Sequence, residues 1–226
     1  MLTKKVETNY LNYLILFPDD YNPEKSYSVI ILLHGYGANM SDLSTLAPAI
    51  NSSEFIYIFP NAPLEFDIGI NVAGYAWFPI ESGDYKESAK LLDETLKIAL
   101  NGINQNKIFL GGFSQGGMMA IHSGLFSENY YDGIIILSSK LINDEIKLSK
   151  NLPENTKIFI SHGIFDSVLS IEEGEKINNQ LSSLGFSTNF KKYNIAHEIN
   201  LEVINDLSEW LMNCLLYTSD AADDMQ

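Results

Sequence analysis

Residues 107–126 read KIFLGGFSQGGMMAIHSGLF, and this stretch decides the fold. The apolar run over 107–112 predicts a short buried strand, and from Gln115 onward the pattern turns helical. Between them, Gly112-Phe113-Ser114-Gln115-Gly116 has the G-x-S-x-G form, in which a serine sits on a tight strand-to-helix turn that only glycine neighbours tolerate sterically. The pentapeptide alone is equally a plain glycine-rich turn. The strand before it and the helix after it are the setting in which the serine becomes a nucleophile.

Outward from the elbow, apolar runs alternate with helical patterns, the signature of a mainly parallel sheet with helices on both faces. Further strands are predicted over 10–17, 27–34, 55–59, 131–138, 156–162 and 188–193. Ser41 is placed to cap a helix ending near Ile50, and Asp84 one running to about Leu100. Ser170 to Glu173 has capping-box spacing for a helix that Gly185 stops, and the last helix is predicted over 198–215. Residues 61–83 hold Pro63, Gly69, Gly74 and Pro79 without any period, so they predict a long loop of the kind that carries function.

No repeat or linker divides the chain, so residues 1–216 are expected to form one domain. The terminal YTSDAADDMQ, 217–226, reads as a disordered or non-native tail. With 14 lysines, no arginine and 29 acidic residues, the formal charge of -15 argues against a nucleic-acid partner, which would need a basic patch. The opening residues lack a secretory h-region and no run reaches transmembrane length, so no integral membrane segment and a cytoplasmic location are expected. Cys214 is the only cysteine, which excludes a disulfide framework. Four scattered histidines give no metal-ligand spacing.

A serine hydroxyl is a weak nucleophile at neutral pH and needs a base, which in turn needs an acceptor to hold its tautomer. In sheets with such an elbow the chain order is serine, acid, histidine. His197, in a loop between the last strand and the last helix, is the candidate base; read without Ser114, it is a local helix-terminal histidine. Asp166 follows a strand at its carboxyl end and is the candidate acid, ahead of Asp132, at a strand's amino end, and Glu172, a helix-capping residue. His34-Gly35-Tyr36-Gly37 ends the second long strand, where one oxyanion-hole N–H is supplied, that of Tyr36; the other is that of Gln115. His34 reads as a brace for this turn, and His122 and His162 as packed core.

Taken in order, LLHGYGAN, PNAP, AWF, GGFSQGGMMA, HGIFDSVL and YNIAHEI resemble the phospholipase/carboxylesterase family, which includes carboxylesterases, lysophospholipase-like enzymes and acyl-protein thioesterases. The resemblance covers residues 10–213. It implies an α/β-hydrolase fold without a large cap domain, no cofactor, and Ser114, Asp166 and His197 as the catalytic set. It also implies an acyl-binding groove bordered by Leu64, Trp77, Phe78 and Val168. Two places depart from the family pattern: Glu198 follows the base, and Ser138-Ser139-Lys140 stands where a Ser-Gly pair is frequent.

Together these readings predict a serine hydrolase that cleaves a small or lipid-like carboxylic ester through an acyl-enzyme. A thioesterase or lysophospholipase acting on longer acyl chains is left open, as is an inactive relative that only binds acyl ligands. Oligomeric state is not legible.

Overall fold

The computed structural model describes residues 1–69, 72–126, 129–143 and 156–216; the tail expected over 217–226 lies outside these. Among these residues ten strands run in chain order as β1 (Leu2–Val6), β2 (Tyr13–Phe17), β3 (Tyr27–Leu33), β4 (Phe55–Pro60), β5 (Leu64–Gly69), β6 (Val72–Ala76), β7 (Gln105–Phe113), β8 (Gly133–Leu137), β9 (Lys157–Gly163) and β10 (Ser187–Tyr193). The helices are α1 (Ala47–Ile50), α2 (Lys86–Leu100), α3 (Gln115–Phe126), α4 (Ile171–Ser183) and α5 (Leu201–Leu216).

Eight strands form one sheet in the order β1-β2-β4-β3-β7-β8-β9-β10, antiparallel at β1–β2 and β2–β4 and parallel from β4 to β10. The near-continuous apolar sequence of β3 follows from its central position, because both of its faces are covered. Its alternate side chains feed two cores: Val29, Ile31 and Leu33 face one, Ile30 and Leu32 the other. The first core is closed by Leu92 and Leu96 of α2, Met119 and Ile121 of α3, and Ile177 and Leu181 of α4. The second is closed by Ala47 and Ile50 of α1 and by Val203, Leu207, Trp210 and Leu211 of α5. This is the expected α/β architecture, with helices on both faces.

Several local expectations are corrected. Residues 61–83 are not one irregular loop, for β5 and β6 pair there as an antiparallel hairpin outside the main sheet. Nearly all of β5 is exposed, and β6 buries only the small Gly74 and Ala76, so no large apolar residue alternates for the sequence to display. The edge strand β1 was not anticipated for the same reason: Lys4 and Lys5 sit where a half-buried strand would alternate, and backbone pairing with β2 holds it. Ser41 caps nothing; a short 3-10 turn, Leu43–Leu46, precedes α1. At α4, Ser170 occupies the cap position but makes no side-chain cap bond. The last helix begins at Leu201, where Asn200 Oδ1 accepts the Val203 N–H at 3.0 Å, leaving residues 194–200 as a loop.

Candidate active site

Five parallel strands deliver their following loops to one edge of the sheet: β3 leads to Tyr36, β7 to Ser114, β8 to Lys140, β9 to Asp166 and β10 to His197. In such sheets ligands bind outside the carboxyl ends of the strands.

Ser114 joins β7 directly to α3 with φ 54°, a left-handed conformation that costs a non-glycine residue energy. Its N–H donates to Leu137 O at 2.9 Å, and its carbonyl accepts from Met118 N at 3.1 Å and from Ser139 Oγ at 2.8 Å. The flanking glycines explain the motif: a Cβ on Gly112 would run into the Gly116 backbone, and one on Gly116 into the Leu33 carbonyl. The helix therefore meets the sheet backbone-to-backbone, which lifts Ser114 clear of it.

Asp166 and His197 come from different loops and meet at 2.6 Å, His197 Nδ1 donating to Asp166 Oδ2. The other carboxylate oxygen accepts the N–H groups of Val168, at 2.9 Å, and Leu169, at 2.8 Å. Burial alone would raise the Asp166 carboxyl, but the Leu169 N–H, the His197 imidazole and the Val168 N–H outweigh it and hold it below the usual carboxylate range. Asp166 is thus an anion at neutral pH, and it fixes the proton of His197 on Nδ1, leaving Nε2 as an acceptor. Among the described residues no hydrogen bond joins Ser114 Oγ to His197, a contact that commonly tightens only when substrate arrives. His162, fully buried, donates through Nε2 to Leu169 O at 2.8 Å and braces the loop that carries Asp166.

The two loops approach closely because Gly163 ends β9: a Cβ there would meet the carbonyls of Ile195 and Ala196. Backbone bonds bind them together, Ile164 N to Tyr193 O at 2.8 Å and Phe165 N to Ile195 O at 3.0 Å.

At the end of β3, His34 donates through Nδ1 to Gly35 O at 2.8 Å and accepts the Ala62 N–H on Nε2 at 3.0 Å. Burial pushes its pKa down to about 4, so it is a neutral brace, as its position in sequence suggested. The turn beyond it is tied to the hairpin by Gly37 N to Tyr75 O at 2.9 Å and Tyr75 N to Ala38 O at 3.0 Å.

Ser114 and His197 line one cavity of about 360 Å³, together with Tyr36, Phe78, Ile80, Gly83, Gln115, Met118, Lys140, Ile142, Val168 and Leu169. Of the four residues expected to border a groove, Phe78 and Val168 do. Trp77 does not: it is fully buried, its Nε1 donates to His34 O at 2.9 Å, and its backbone N–H to Gln115 Oε1 at 2.8 Å. Leu64 lies on β5, partly exposed and likewise outside the lining. An aromatic in an aperiodic stretch says that something must be packed, but not on which side of the chain.

Sequence reasoning missed Ile80, Met118, Lys140, Ile142 and Leu169. Met118 had a signal, standing four residues beyond Ser114 in the first turn of α3, where its N–H bonds to the Ser114 carbonyl, and Leu169 adjoins Val168. It also missed the side chain of Gln115, whose amide accepts from Trp77 N and donates to Phe78 O at 2.8 Å, pinning the cavity wall to the elbow. Among the described residues no three His, Cys, Asp or Glu side chains gather as a metal site, and no helix is long and apolar enough to cross a membrane.

A mainly parallel sheet with a serine elbow at the carboxyl edge defines an α/β-hydrolase. The sequence model of the phospholipase/carboxylesterase family matches residues 21–215, and the chain belongs to that family. Acyl-protein thioesterase 1 of Aspergillus fumigatus is 27% identical over 219 residues, 85% of this chain and 90% of the relative. Lysophospholipase-like protein 1 of Mus musculus is 33% identical over a shorter stretch, 59% of this chain and 56% of the relative. Among solved structures, esterase PE8 superposes with a TM-score of 0.77 at 24% identity, covering 91% of this chain and 99% of its own. The Bacillus cereus carboxylesterase does so with a TM-score of 0.74 at 22%, covering 90% and 94%.

Proposed function

We propose that this protein hydrolyses carboxylic esters by acyl transfer through Ser114, His197 and Asp166. The observation that carries the reading is the 2.6 Å bond between His197 Nδ1 and Asp166 Oδ2, which leaves Nε2 free on a residue that lines the same cavity as Ser114. Ser114 Oγ attacks the substrate carbonyl while His197 Nε2 takes its proton, and Asp166 stabilises the imidazolium that forms. The Tyr36 and Gln115 N–H groups receive the developing oxyanion. His197 then passes the proton to the departing alcohol, and water, deprotonated by the same imidazole, releases the acid and restores Ser114.

The mostly apolar lining favours a small or lipid-like acyl group, and no nucleic-acid partner fits a chain of net charge -15. A thioester substrate is the second reading, favoured by relatives that are themselves acyl-protein thioesterases; the same steps serve, with a thiol as leaving group. A fluorophosphonate probe tests the shared chemistry: wild-type protein labels and Ser114→Ala does not. Labelling that persists in Ser114→Ala rejects the nucleophile, and matched esters and thioesters of increasing chain length then separate the two substrates.

A further inference from the structure

Lys140, in the loop after β8, is half-buried on the wall of this cavity and has no hydrogen-bond or ion-pair partner among the described residues. Some lysines of the outer surface find carboxylates, Lys97 with Glu94, Lys191 with Asp206 and Lys192 with Glu175, whereas Lys4, Lys25, Lys86 and Lys90 stand exposed to water without one; Lys140 differs from these in being half-buried. It is also unusual for its surroundings. The protein carries 29 acidic residues against 14 lysines, yet among the described residues no Asp or Glu lines the cavity, and Lys140 is the only lysine that does.

From this we infer that the cavity selects substrates bearing an anionic group, a carboxylate several bonds from the scissile carbonyl on the acyl or the leaving-group side, with Lys140 as the residue that determines the specificity. The inference rests on the acyl-transfer reading and adds a substrate class to it.

The physical case has two parts. An ammonium partly withdrawn from water attracts an anion more strongly than a surface lysine does, because less solvent screens the pair. Phe78, Met118, Ile142 and Leu169 supply an apolar path on which a short methylene spacer loses water, so an anionic ester can satisfy the spacer and the charge together. The net acidic charge of the chain disfavours such a substrate over much of the surface, so a half-buried cation in the cavity gives its charge a favourable place there.

Three esters test it: p-nitrophenyl hexanoate as the neutral reference, the p-nitrophenyl half-ester of adipic acid with the carboxylate on the acyl side, and the hexanoyl ester of 4-hydroxybenzoate with it on the leaving group. The quantity read is the ratio of kcat/KM for each anionic ester to that for the neutral one. In Lys140→Met this ratio should fall roughly ten- to hundredfold for one of the two, the range open to a charged hydrogen bond. Lys140→Glu should lower it further, and high salt should compress the wild-type ratio but not that of Lys140→Met. The anionic ester that responds identifies the side of the scissile bond that faces Lys140. Ratios indifferent to residue 140 for both esters overturn the inference while leaving acyl transfer standing. Wild-type protein inert towards all three overturns the acyl-transfer reading, and this inference with it.

Discussion

The elbow around Ser114 and the paired loops around Asp166 and His197 reach the same cavity by opposite means. The elbow is local: six consecutive residues, 112–117, set its shape, because glycines let α3 sit directly on β7 and β3. The acid–base pair is assembled from segments about thirty residues apart, joined by backbone bonds between the loops after β9 and β10 and by the close approach at Gly163. The proposed nucleophile can therefore be written as a motif, whereas the Asp166–His197 pair exists only once two strands have paired in register.

The largest expected effect tests both halves together. Ser114→Ala and Asp166→Asn should each lower ester turnover by about 10⁴-fold or more, with the fold intact by circular dichroism. Near-wild-type turnover in Asp166→Asn, with Glu172→Gln inactive instead, would break the account of the paired loops.

Next comes the hinge of the comparison. Gly163→Ala must push the two loops apart, and a displacement of about 1 Å costs roughly 10²-fold in kcat. Gly116→Ala strikes the elbow where α3 lies on β3, so its expected signature is loss of soluble folded protein. If both variants fold and both lose only activity, the distinction between a sterically built and an assembled region disappears.

The wall between elbow and hairpin gives a smaller contrast. Trp77→Ala should cost about 3–5 kcal/mol by urea denaturation, as removal of a buried aromatic does, and depress kcat/KM evenly for short and long esters. Phe78→Ala should instead shift the long-to-short ratio, by up to about 0.8 kcal/mol for each methylene that loses its contact. A chain-length shift in Trp77→Ala would return that residue to the groove.

The smallest effect is a titration. Burial pushes His34, beside the elbow, and His122, on α3, down to about 4. The unfolded chain protonates them near 6.5, so between about pH 6.5 and 4 the unfolded state holds more protons and stability falls as pH falls. Asp166 behaves otherwise: its carboxyl is depressed, so its contribution is fully present above the unfolded carboxyl value and is lost only at still lower pH, through the folded value. His122→Gln should reduce the slope of stability against pH between about 6.5 and 4 by about one proton. An unchanged slope would mean that His122 is protonated in the fold.

What could be read in advance followed burial and local geometry. Ser114 came from its glycines, the central strands from their apolar runs, and Asp166 and His197 from their positions after strands and their chain order. The hairpin and β1 could not be read, because exposed ribbons impose no apolar alternation. Trp77 was misplaced because its role depends on two long-range partners, His34 O and Gln115 Oε1, which no neighbouring residue announces. Lys140 stood in view as a departure from the family pattern, but that it is the one lysine among the described residues lining the cavity became visible only with the lining assembled.

The two backbone bonds between Tyr75 and the turn after Tyr36 have a thermodynamic meaning. An isolated two-stranded ribbon is marginal in water, so the β5–β6 hairpin is expected to depend on its contacts with the rest of the fold, and these bonds tie the shape of the turn to those contacts. If the Tyr36 amide receives the oxyanion, as proposed, the fraction of molecules with this turn docked scales the apparent affinity for any oxyanion-like ligand. Amide hydrogen exchange reads that fraction directly. Gly37 and Tyr75 should exchange at matching protection factors, and a boronate bound at Ser114 should slow both by the same factor; unequal slowing would show that hairpin and turn open independently.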